Sequence, residues 1–526
     1  MKKFIQSHPI EILFSILFLS LAAFLNLQFL EGANINYSIA GHDEYLTVRE
    51  VYSIINPLSW KHFILAIIGG DILYYGRVMF YTDALFAYVP FKIWGLEGMV
   101  YAIRMTHSIW ILISFLILNN LFINTKWNKF LFLFGSAGVM YSVYYIQMPK
   151  PEPLQLLFIA MFLKGLFNNN YAFGSYYIWF GLALAIKINV LVLLPFVFLL
   201  PLLIYYRSEI KTNVQKGLKA LFWFFAGFFI GIPCLLLTPK QPIYLKTYLH
   251  ETIFGTTKSY DDPNLGFITW LEYGFGGSYL GSHFLAYVFI LLAFVLAFYT
   301  AYKYFKNKDK KFLQTFIIST IGLILIMLVM VLTKRLWPHY LWTGFVLIWL
   351  SFNIFSDLII NAIYKKIFIG LLSLFFCVSA FTFYSQVLPN IFKRDKTQEM
   401  LIIKSEAAAL YGYLESTYKD NVIGIDGSVF YPYRHFIHSS PYHPFASERP
   451  KTASTIVKLY SDQPELIWEC DVVVFKDRYP PLLMTTKKAI NQDNVNSLDS
   501  IFKFQTRTNF VLDTSIGKNL VYKKNK

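Results

Sequence analysis

Charged residues are scarce in this chain, and that scarcity decides its class. Asp, Glu, Lys and Arg make up 15% of the 526 residues, while hydrophobic residues make up 56% and aromatic residues 19%. An ordinary soluble domain has about a quarter of its residues charged. No single soluble core can bury so large an apolar fraction, so the composition indicates a polytopic α-helical membrane protein.

Cysteine and acidic residues are also few. The three cysteines, Cys234, Cys377 and Cys470, lie far apart, which argues against a disulfide framework or a cysteine-based zinc site. The 31 acidic residues are outnumbered by 47 basic ones, giving a net charge of +16. The lysines cluster in short breaks between apolar runs, where they act as topology signals. We therefore expect no nucleic-acid partner.

Apolar runs long enough to cross a bilayer recur along the chain. Crossing ~30 Å of hydrocarbon takes a helix of about 20 residues, and about eleven runs approach that length. They lie at 9–30, 101–123, 130–148, 153–168, 171–187, 188–206, 220–238, 283–304, 312–333, 341–361 and 367–388. The first run is too long for the apolar part of a signal peptide, so we interpret it as a retained helix. The sequence thus predicts about 11 transmembrane helices surrounded by membrane lipid.

The stretch 63–96 is apolar but carries charges throughout, at Asp71, Arg77, Asp83 and Lys92. A continuous span would bury those charges in hydrocarbon, whereas helices at the membrane surface can keep them in water. We therefore interpret this stretch as interfacial helices in the first external loop.

Basic loops set the orientation. If the interfacial stretch does not cross, every strongly basic short segment falls on one side, as the positive-inside rule requires. These segments are 2–3, 124–129, 207–219, 303–311 and 364–366. The N-terminus is then expected in the cytoplasm, and the loops 31–100 and 239–282 and everything after 389 are expected outside.

The C-terminal tail differs in composition from the rest. "QEMLIIKSEAAALYGYLES" has helical periodicity, "NVIGIDG" and "CDVVVF" are typical of short buried strands, and "NFVLDTSIGKNLVYK" indicates a closing hairpin. A segment of this length can form its own core. The sequence therefore predicts two domains, a transmembrane domain at 1–390 and an external α/β domain at 391–526.

Ionisable groups from distant parts of the chain gather near the predicted outer face. Charge at a membrane edge is costly, so a functional site is the first hypothesis. Each lysine or arginine taken alone can also simply extend to the lipid headgroups. The groups are His42, Asp43, Glu44, Arg49 and Glu50 after the first span, then Arg77, Arg104, Lys150, Glu152, Lys187, Lys334, Arg335 and His339.

Several of these stretches, taken in order, resemble the GT-C superfamily of membrane glycosyltransferases. The similarity is to the branch of protein O-mannosyltransferases and lipid A aminoarabinose transferases. "HDEY" resembles that branch's Asp-Glu motif in the first external loop, and "KPEPLQLLF", "GLALAIKIN" and "RLWPHYL" resemble its later motifs. The resemblance covers about residues 1–390. Two features depart from it: the long tail, and the lack of the prolines that follow the basic residue in the family's motif but are missing from the residues next to Arg77.

The resemblance implies an enzyme in the bacterial inner membrane that transfers a sugar from a polyprenyl-phosphate donor to a hydroxyl acceptor. The acceptor is a protein serine or threonine, a glycolipid or a polysaccharide. The leaving phosphate needs cations, and the acceptor needs a carboxylate base. Asp43 is expected to be the base with His42 and Glu44 shaping its environment, or Glu44 is the base and Asp43 orients the helix. One base without a nucleophile implies inversion.

The remaining candidates divide by charge. Arg77, Arg104, Lys150 and Arg335 are the candidates for the donor phosphate, and Glu152, Lys187 and His339 are supporting residues. No cofactor is indicated with certainty; His42, Glu44, Glu152 and His339 could hold a divalent metal ion but lack a diagnostic spacing. A secondary transporter or lipid flippase is the alternative function, and a receptor-like protein with a binding tail is a third.

Overall fold

The structure is a computed structural model, which describes most of the helical part and pieces of the tail. The described residues are 8–31, 42–57, 59–69, 76–205, 210–233, 266–332, 338–382, 384–385, 398–426, 429, 455–459, 470–476 and 510–524.

Helices dominate the described residues. They are α1 (Pro9–Glu31), α2 (His42–Ile55), α3 (Trp60–Gly69), α4 (Arg77–Phe122), α5 (Lys126–Ala137), α6 (Met140–Gln147), α7 (Glu152–Asn168), α8 (Tyr177–Ile186), α9 (Leu194–Tyr205), α10 (Ile210–Gly231), α11 (His283–Asn307), α12 (Lys310–Leu332), α13 (Trp342–Leu358), α14 (Ala362–Thr382) and α15 (Gln398–Thr417). A 3₁₀ turn at Ile188–Leu193 leads into α9, a π-helical segment at Trp270–Leu280 precedes α11, and a second 3₁₀ turn at Pro338–Leu341 leads into α13. The polytopic helical architecture is confirmed.

Six helical segments in the described ranges are long and apolar enough to cross a membrane. They are Pro9–Leu27, Glu97–Phe122, His283–Asn307, Lys310–Val331, Pro338–Leu358 and Ala362–Thr382. The number rises to seven if α5 and α6, which meet at an angle of 59°, form one broken span.

The predicted runs between 153 and 238 fall on shorter or more polar helices. α7 has 17 residues and α8 has only 10. Lys187, directly after α8, has an extended conformation, and a 3₁₀ turn follows it. The helix is therefore interrupted in a stretch where hydropathy alone predicts two full spans. α10 is long, but it carries Lys211, Lys216 and Lys219 in its first half.

α4 consists of two arms that meet at a sharp break. Gly95, at φ 66° and ψ −146°, has a conformation that is open to glycine and strained for other residues. Asp83 and His107 lie twelve residues before and after Gly95, yet Asp83 Oδ2 is 3.2 Å from His107 Nε2. In a continuous helix those residues would be about 36 Å apart. The arm at 77–94, which belongs to the predicted interfacial stretch, therefore folds back along the arm at 97–122.

α1 runs antiparallel to the second arm of α4. Asn26 Nδ2 lies 3.6 Å from Met105 Sδ, and Asn119 Nδ2 donates to Glu11 Oε1 over 3.3 Å. Lys129 Nζ is 2.5 Å from the same oxygen of Glu11. The start of α1 therefore lies beside the basic segment at 124–129.

A second acidic residue connects two basic segments at this end of the helical domain. Asp357 accepts hydrogen bonds from the Thr125 hydroxyl over 2.9 Å and the Asn128 amide over 2.6 Å, at the beginning of α5. Lys365 Nζ lies 4.0 Å from the same carboxylate. Segments 124–129 and 364–366 therefore lie at the same end of the helices. The predicted orientation, which puts all basic loops on one side of the membrane, requires this of them.

The tail contains a five-stranded mixed sheet. Its strands are β1 (Val422–Asp426), β2 (Thr455–Leu459), β3 (Val472–Lys476), β4 (Phe510–Ile516) and β5 (Asn519–Lys524), in the spatial order β2-β1-β3-β5-β4. β1 pairs in parallel with β2 and β3, and β5 pairs antiparallel with β3 and β4. The two buried strands and the hairpin predicted from the sequence are confirmed; β2 was not predicted.

Asp513 ties α15 to the hairpin. It lies at the register shift between Leu512 and Thr514, accepts from the Tyr413 and Tyr418 hydroxyls, and its Oδ1 is 2.9 Å from Lys523 Nζ. The hydrogen bond from Lys523, followed by those from the two tyrosines, holds the pKa of Asp513 at about 2.

This cluster predicts a pH dependence of the tail's stability. The pKa of Asp513 is lower in the folded than in the unfolded chain, so its contribution is complete above about pH 4 and is lost as the pH falls towards about 2. Asp513→Asn should raise the local opening equilibrium of α15 and the β4–β5 hairpin by roughly tenfold at pH 7. Hydrogen exchange in the intact protein measures this. Equal exchange rates in wild type and variant at pH 7 would show that the cluster contributes nothing.

Candidate active site

A buried ion pair joins two of the predicted motifs. Glu152 opens α7 directly after Pro151, and Lys187 follows the last residue of α8. Their side chains form an ion pair and are 2% and 8% exposed. Lys187 Nζ also lies 3.9 Å from the centre of the Tyr340 ring. The lysine is therefore held between a carboxylate and an aromatic face.

Two further predicted residues lie beside this pair, and both are buried. Lys150 is two residues before Glu152, and His339 directly precedes Tyr340, whose ring lies against Lys187. His339 belongs to the 3₁₀ turn before α13, and its carbonyl accepts from the Tyr145 hydroxyl over 2.8 Å. Lys150, Glu152, Lys187 and His339 thus come together from three separate parts of the chain, and we call them the basic cluster.

Two buried side-chain oxygens, one in the cluster and one beside it, are open to a hydrogen-bond donor. Gln155, one turn after Glu152 on α7, donates to the Lys187 carbonyl over 2.8 Å and to Asn189 Oδ1 over 2.9 Å. Within the described part of the chain, Glu152 Oε2 and Gln155 Oε1 are buried without a hydrogen-bond partner. Buried orphan acceptors of this kind call for a water molecule, an ion or a ligand. Sequence reasoning missed Gln155, although its spacing from Glu152 puts both on one face of a helix.

Arg77 begins α4 next to the end of α8. The backbone amide of Gly76 lies 3.4 Å from the Ile186 carbonyl. A Cβ at Gly76 would come within 2.8 Å of the Ala185 carbonyl oxygen, so glycine is what permits this approach. Arg77 therefore starts its helix beside the segment that presents Lys187.

The Arg77 side chain is fully buried and held by α2 and α3. Arg77 Nη1 is 2.6 Å from Glu50 Oε2, and Nη2 donates to the Ala66 carbonyl. Its Nε has no hydrogen-bond partner in the residues described. Glu50 was noted among the charged residues after the first predicted span without a role of its own; the structure makes it the partner of Arg77.

Asp43 and Glu44 lie in the first turn of α2. Their side chains, and that of His42, are outside the part of the chain that the structure describes. In a helix, position 43 lies on the same face as Thr47 and Glu50, whereas position 44 lies on the face of Val48 and Val51. Position 43 therefore lies on the polar face of α2. Glu50, the partner of Arg77, lies on the same face about 10 Å further along the helix.

Arg104 lies on the second arm of α4, buried, three residues before His107. Arg77 and Arg104 are 18 and 9 residues from Gly95, so their positions along the folded-back arms differ by about 14 Å.

Arg335 is outside the described residues. Of the four candidate metal ligands, the side chains of Glu152 and His339 are described, and no group of three or more His, Cys, Asp or Glu suited to a metal occurs in the described residues.

Comparisons with known proteins give a structural relative but no sequence relative. No protein-family model and no curated protein matches the chain. Among solved structures, ArnT from Cupriavidus metallidurans, in its undecaprenyl phosphate-bound and apo states, superposes with a TM-score of 0.51 over 97% of each chain, at 10% sequence identity. The chain has the ArnT fold.

The ArnT fold confirms the predicted GT-C-like architecture with a C-terminal sheet. The branch of the superfamily predicted from the sequence is finer than a likeness in fold shows, and it stays a prediction. An identity of 10% carries the fold and leaves each residue's role to the geometry described above.

Proposed function

We propose that this protein is an inverting glycosyltransferase that uses a polyprenyl-phosphate-linked sugar as donor and a hydroxyl group as acceptor. The observation that carries the proposal is the buried basic cluster in a chain with the ArnT fold. The orphan oxygens of Glu152 and Gln155 beside it can accept hydrogen bonds from sugar hydroxyls. ArnT of C. metallidurans was crystallised with undecaprenyl phosphate, which supports a polyprenyl phosphate as the lipid part of the donor.

The proposed chemistry needs one base and several cations. The acceptor oxygen attacks the anomeric carbon while the bond from that carbon to the phosphate oxygen breaks, and the electron pair leaves with the polyprenyl phosphate. Asp43 takes the proton of the acceptor hydroxyl. The phosphate gains negative charge in the transition state, which Lys150 and Lys187 stabilise, with Arg77, Arg104 and Arg335 as further candidates.

A transfer assay with a flippase control tests this proposal. The purified protein in nanodiscs is given polyprenyl-phosphate sugars, with mannose and aminoarabinose donors among them, and a mixture of hydroxyl acceptors. We expect time-dependent release of polyprenyl phosphate, read by mass spectrometry. In proteoliposomes, movement of intact donor between leaflets without cleavage of the bond between sugar and phosphate would identify a flippase and overturn the proposal.

The orientation is a separate prediction. In a bacterial inner membrane we expect the N-terminus in the cytoplasm and the tail in the periplasm, because this orientation places all the basic loops in the cytoplasm. In a background without native cysteines, Lys92→Cys and Lys216→Cys place single thiols at exposed positions on α4 and α10. A membrane-impermeant reagent should label Lys92→Cys in intact spheroplasts and Lys216→Cys only after lysis. Labelling of both from the same side would contradict the assignment.

A further inference from the structure

A buried carboxylate–imidazole pair lies outside the basic cluster. Asp83 and His107 are both 0% exposed, with 3.2 Å between Oδ2 and Nε2. Asp83 Oδ1 and His107 Nδ1 have no hydrogen-bond partner within the residues that the structure describes. The polar contact of each side chain is therefore the other side chain. His107 also packs on Trp110, with 4.4 Å between ring centroids.

The pair joins the two arms of α4 far from the break. Each residue lies about 18 Å along its arm from Gly95. Glycine at 95 permits the break, and the close packing of Gly98 against the Pro90 carbonyl leaves no room for a side chain near it. Neither glycine fixes where the far ends of the arms meet. Core packing of the first arm and the contacts of Arg77 with α2 and α3 hold it in place, and the Asp83–His107 contact adds a directional constraint between the two arms.

Stability alone is a poor reason to bury such a pair. Replacing a buried ionic pair by apolar side chains of similar volume is often neutral or stabilising, because desolvation offsets the attraction. An apolar contact between two helices also tolerates sliding and rotation that a hydrogen bond does not. The pair therefore contributes alignment more than it contributes free energy of folding.

The alignment bears on Arg77. Asp83 lies six residues after Arg77 on the same arm, about 9 Å along the helix. The other side of Arg77 is fixed by the contact of Gly76 with Ile186, next to Lys187. These two contacts lie on either side of Arg77 in the chain and position its backbone, while Glu50 and the Ala66 carbonyl hold its guanidinium group.

We propose that Asp83 and His107 are positioning residues for donor binding: by aligning the first arm of α4 they hold Arg77 at the basic cluster, where the donor phosphate binds. This inference rests on the proposed function. It adds two residues that touch neither the phosphate nor the sugar and that act through the arm carrying Arg77.

The test measures binding of undecaprenyl phosphate to purified protein in nanodiscs, corrected for the folded fraction. Asp83→Ala removes the contact and should raise the Kd at least tenfold. Asp83→Asn can still hydrogen-bond to His107 and should stay within threefold of wild type. The double variant Asp83→Leu/His107→Leu should fold as stably as wild type and still bind at least tenfold more weakly, so the test does not depend on whether Asp83→Ala folds.

A control at the other end of α4 separates positioning from general destabilisation. The Glu11–Lys129 pair, which Asn119 joins, lies about 18 Å beyond His107 along the second arm. Lys129→Ala should lower the Tm and leave the Kd unchanged. Wild-type Kd in the Leu/Leu variant, or an equal rise in Kd for Lys129→Ala, would overturn the inference. Failure of wild type itself to bind undecaprenyl phosphate would instead overturn the proposed function.

Discussion

Asp43→Asn is expected to lower sugar transfer by about 10²–10⁴-fold while the affinity for the donor is retained. The amide keeps the size and polarity of the carboxylate but cannot accept the proton of the acceptor hydroxyl. The measurement is the turnover rate at saturating donor, with the Kd for undecaprenyl phosphate and the Tm determined on the same preparation. An active and equally stable Asp43→Asn protein would rule Asp43 out as the base.

Glu44→Gln is the matched control. It makes the same chemical change one residue further on, at a position on the apolar face of α2. We expect a decrease of less than about tenfold, since a neighbour that only tunes the base is partly dispensable. If Glu44→Gln is inactive and Asp43→Asn is active, the two roles are exchanged and Glu44 is the base.

Lys187→Met should have the second large effect, and on two quantities at once. Methionine matches the length of the lysine but leaves the Glu152 carboxylate buried without its cation. Removing one partner of a buried pair costs about 3–5 kcal/mol, so the Tm should fall steeply. Donor turnover should fall as well, because a cation of the basic cluster is lost.

The double variant Lys187→Met/Glu152→Leu separates the two effects. Removing both charges should restore most of the free energy of unfolding, because no unpaired charge remains buried. Transfer should stay at least tenfold below wild type. Thermal unfolding and the transfer assay on all three proteins complete the cycle. Recovery of transfer together with stability would mean that the pair serves the fold alone.

Local patterns in the sequence predicted most of the elements. The apolar runs of α1, α11, α12 and α14 were recognisable because about twenty consecutive apolar residues are typical of a helix that crosses a membrane. The runs "NVIGIDG" and "CDVVVF" were recognisable strands for a similar reason: they are short, apolar and rich in valine and isoleucine.

The parts that were not predicted depend on contacts across the chain. Glu50 and Arg77 are 27 residues apart, and Glu152 and Lys187 are 35 apart, so neither partner identifies the other by spacing. The break at Gly95 was equally hidden. A glycine within an apolar helical run carries no local sign that it will adopt a positive φ and fold one arm back on the other.

The candidate site followed the same division. The sequence singled out Lys150, Glu152, Lys187 and His339 one by one because each charge lies at the edge of an apolar run. Only packing could show that these four meet, that Gln155 joins them, and that Arg77 is paired with Glu50. Asp43, Glu44 and Arg335 stay predictions from the sequence, since the structure leaves their side chains undescribed.

Native mass spectrometry of the protein, released from nanodiscs made with lipid extract of a bacterial inner membrane, tests the central claim most directly. We predict a bound species whose added mass is that of one polyprenyl phosphate, retained by wild type and depleted at least tenfold in Lys187→Met/Glu152→Leu. Wild type that retains only phospholipids, in the same proportions as the double variant, would contradict the claim that the basic cluster binds a polyprenyl phosphate.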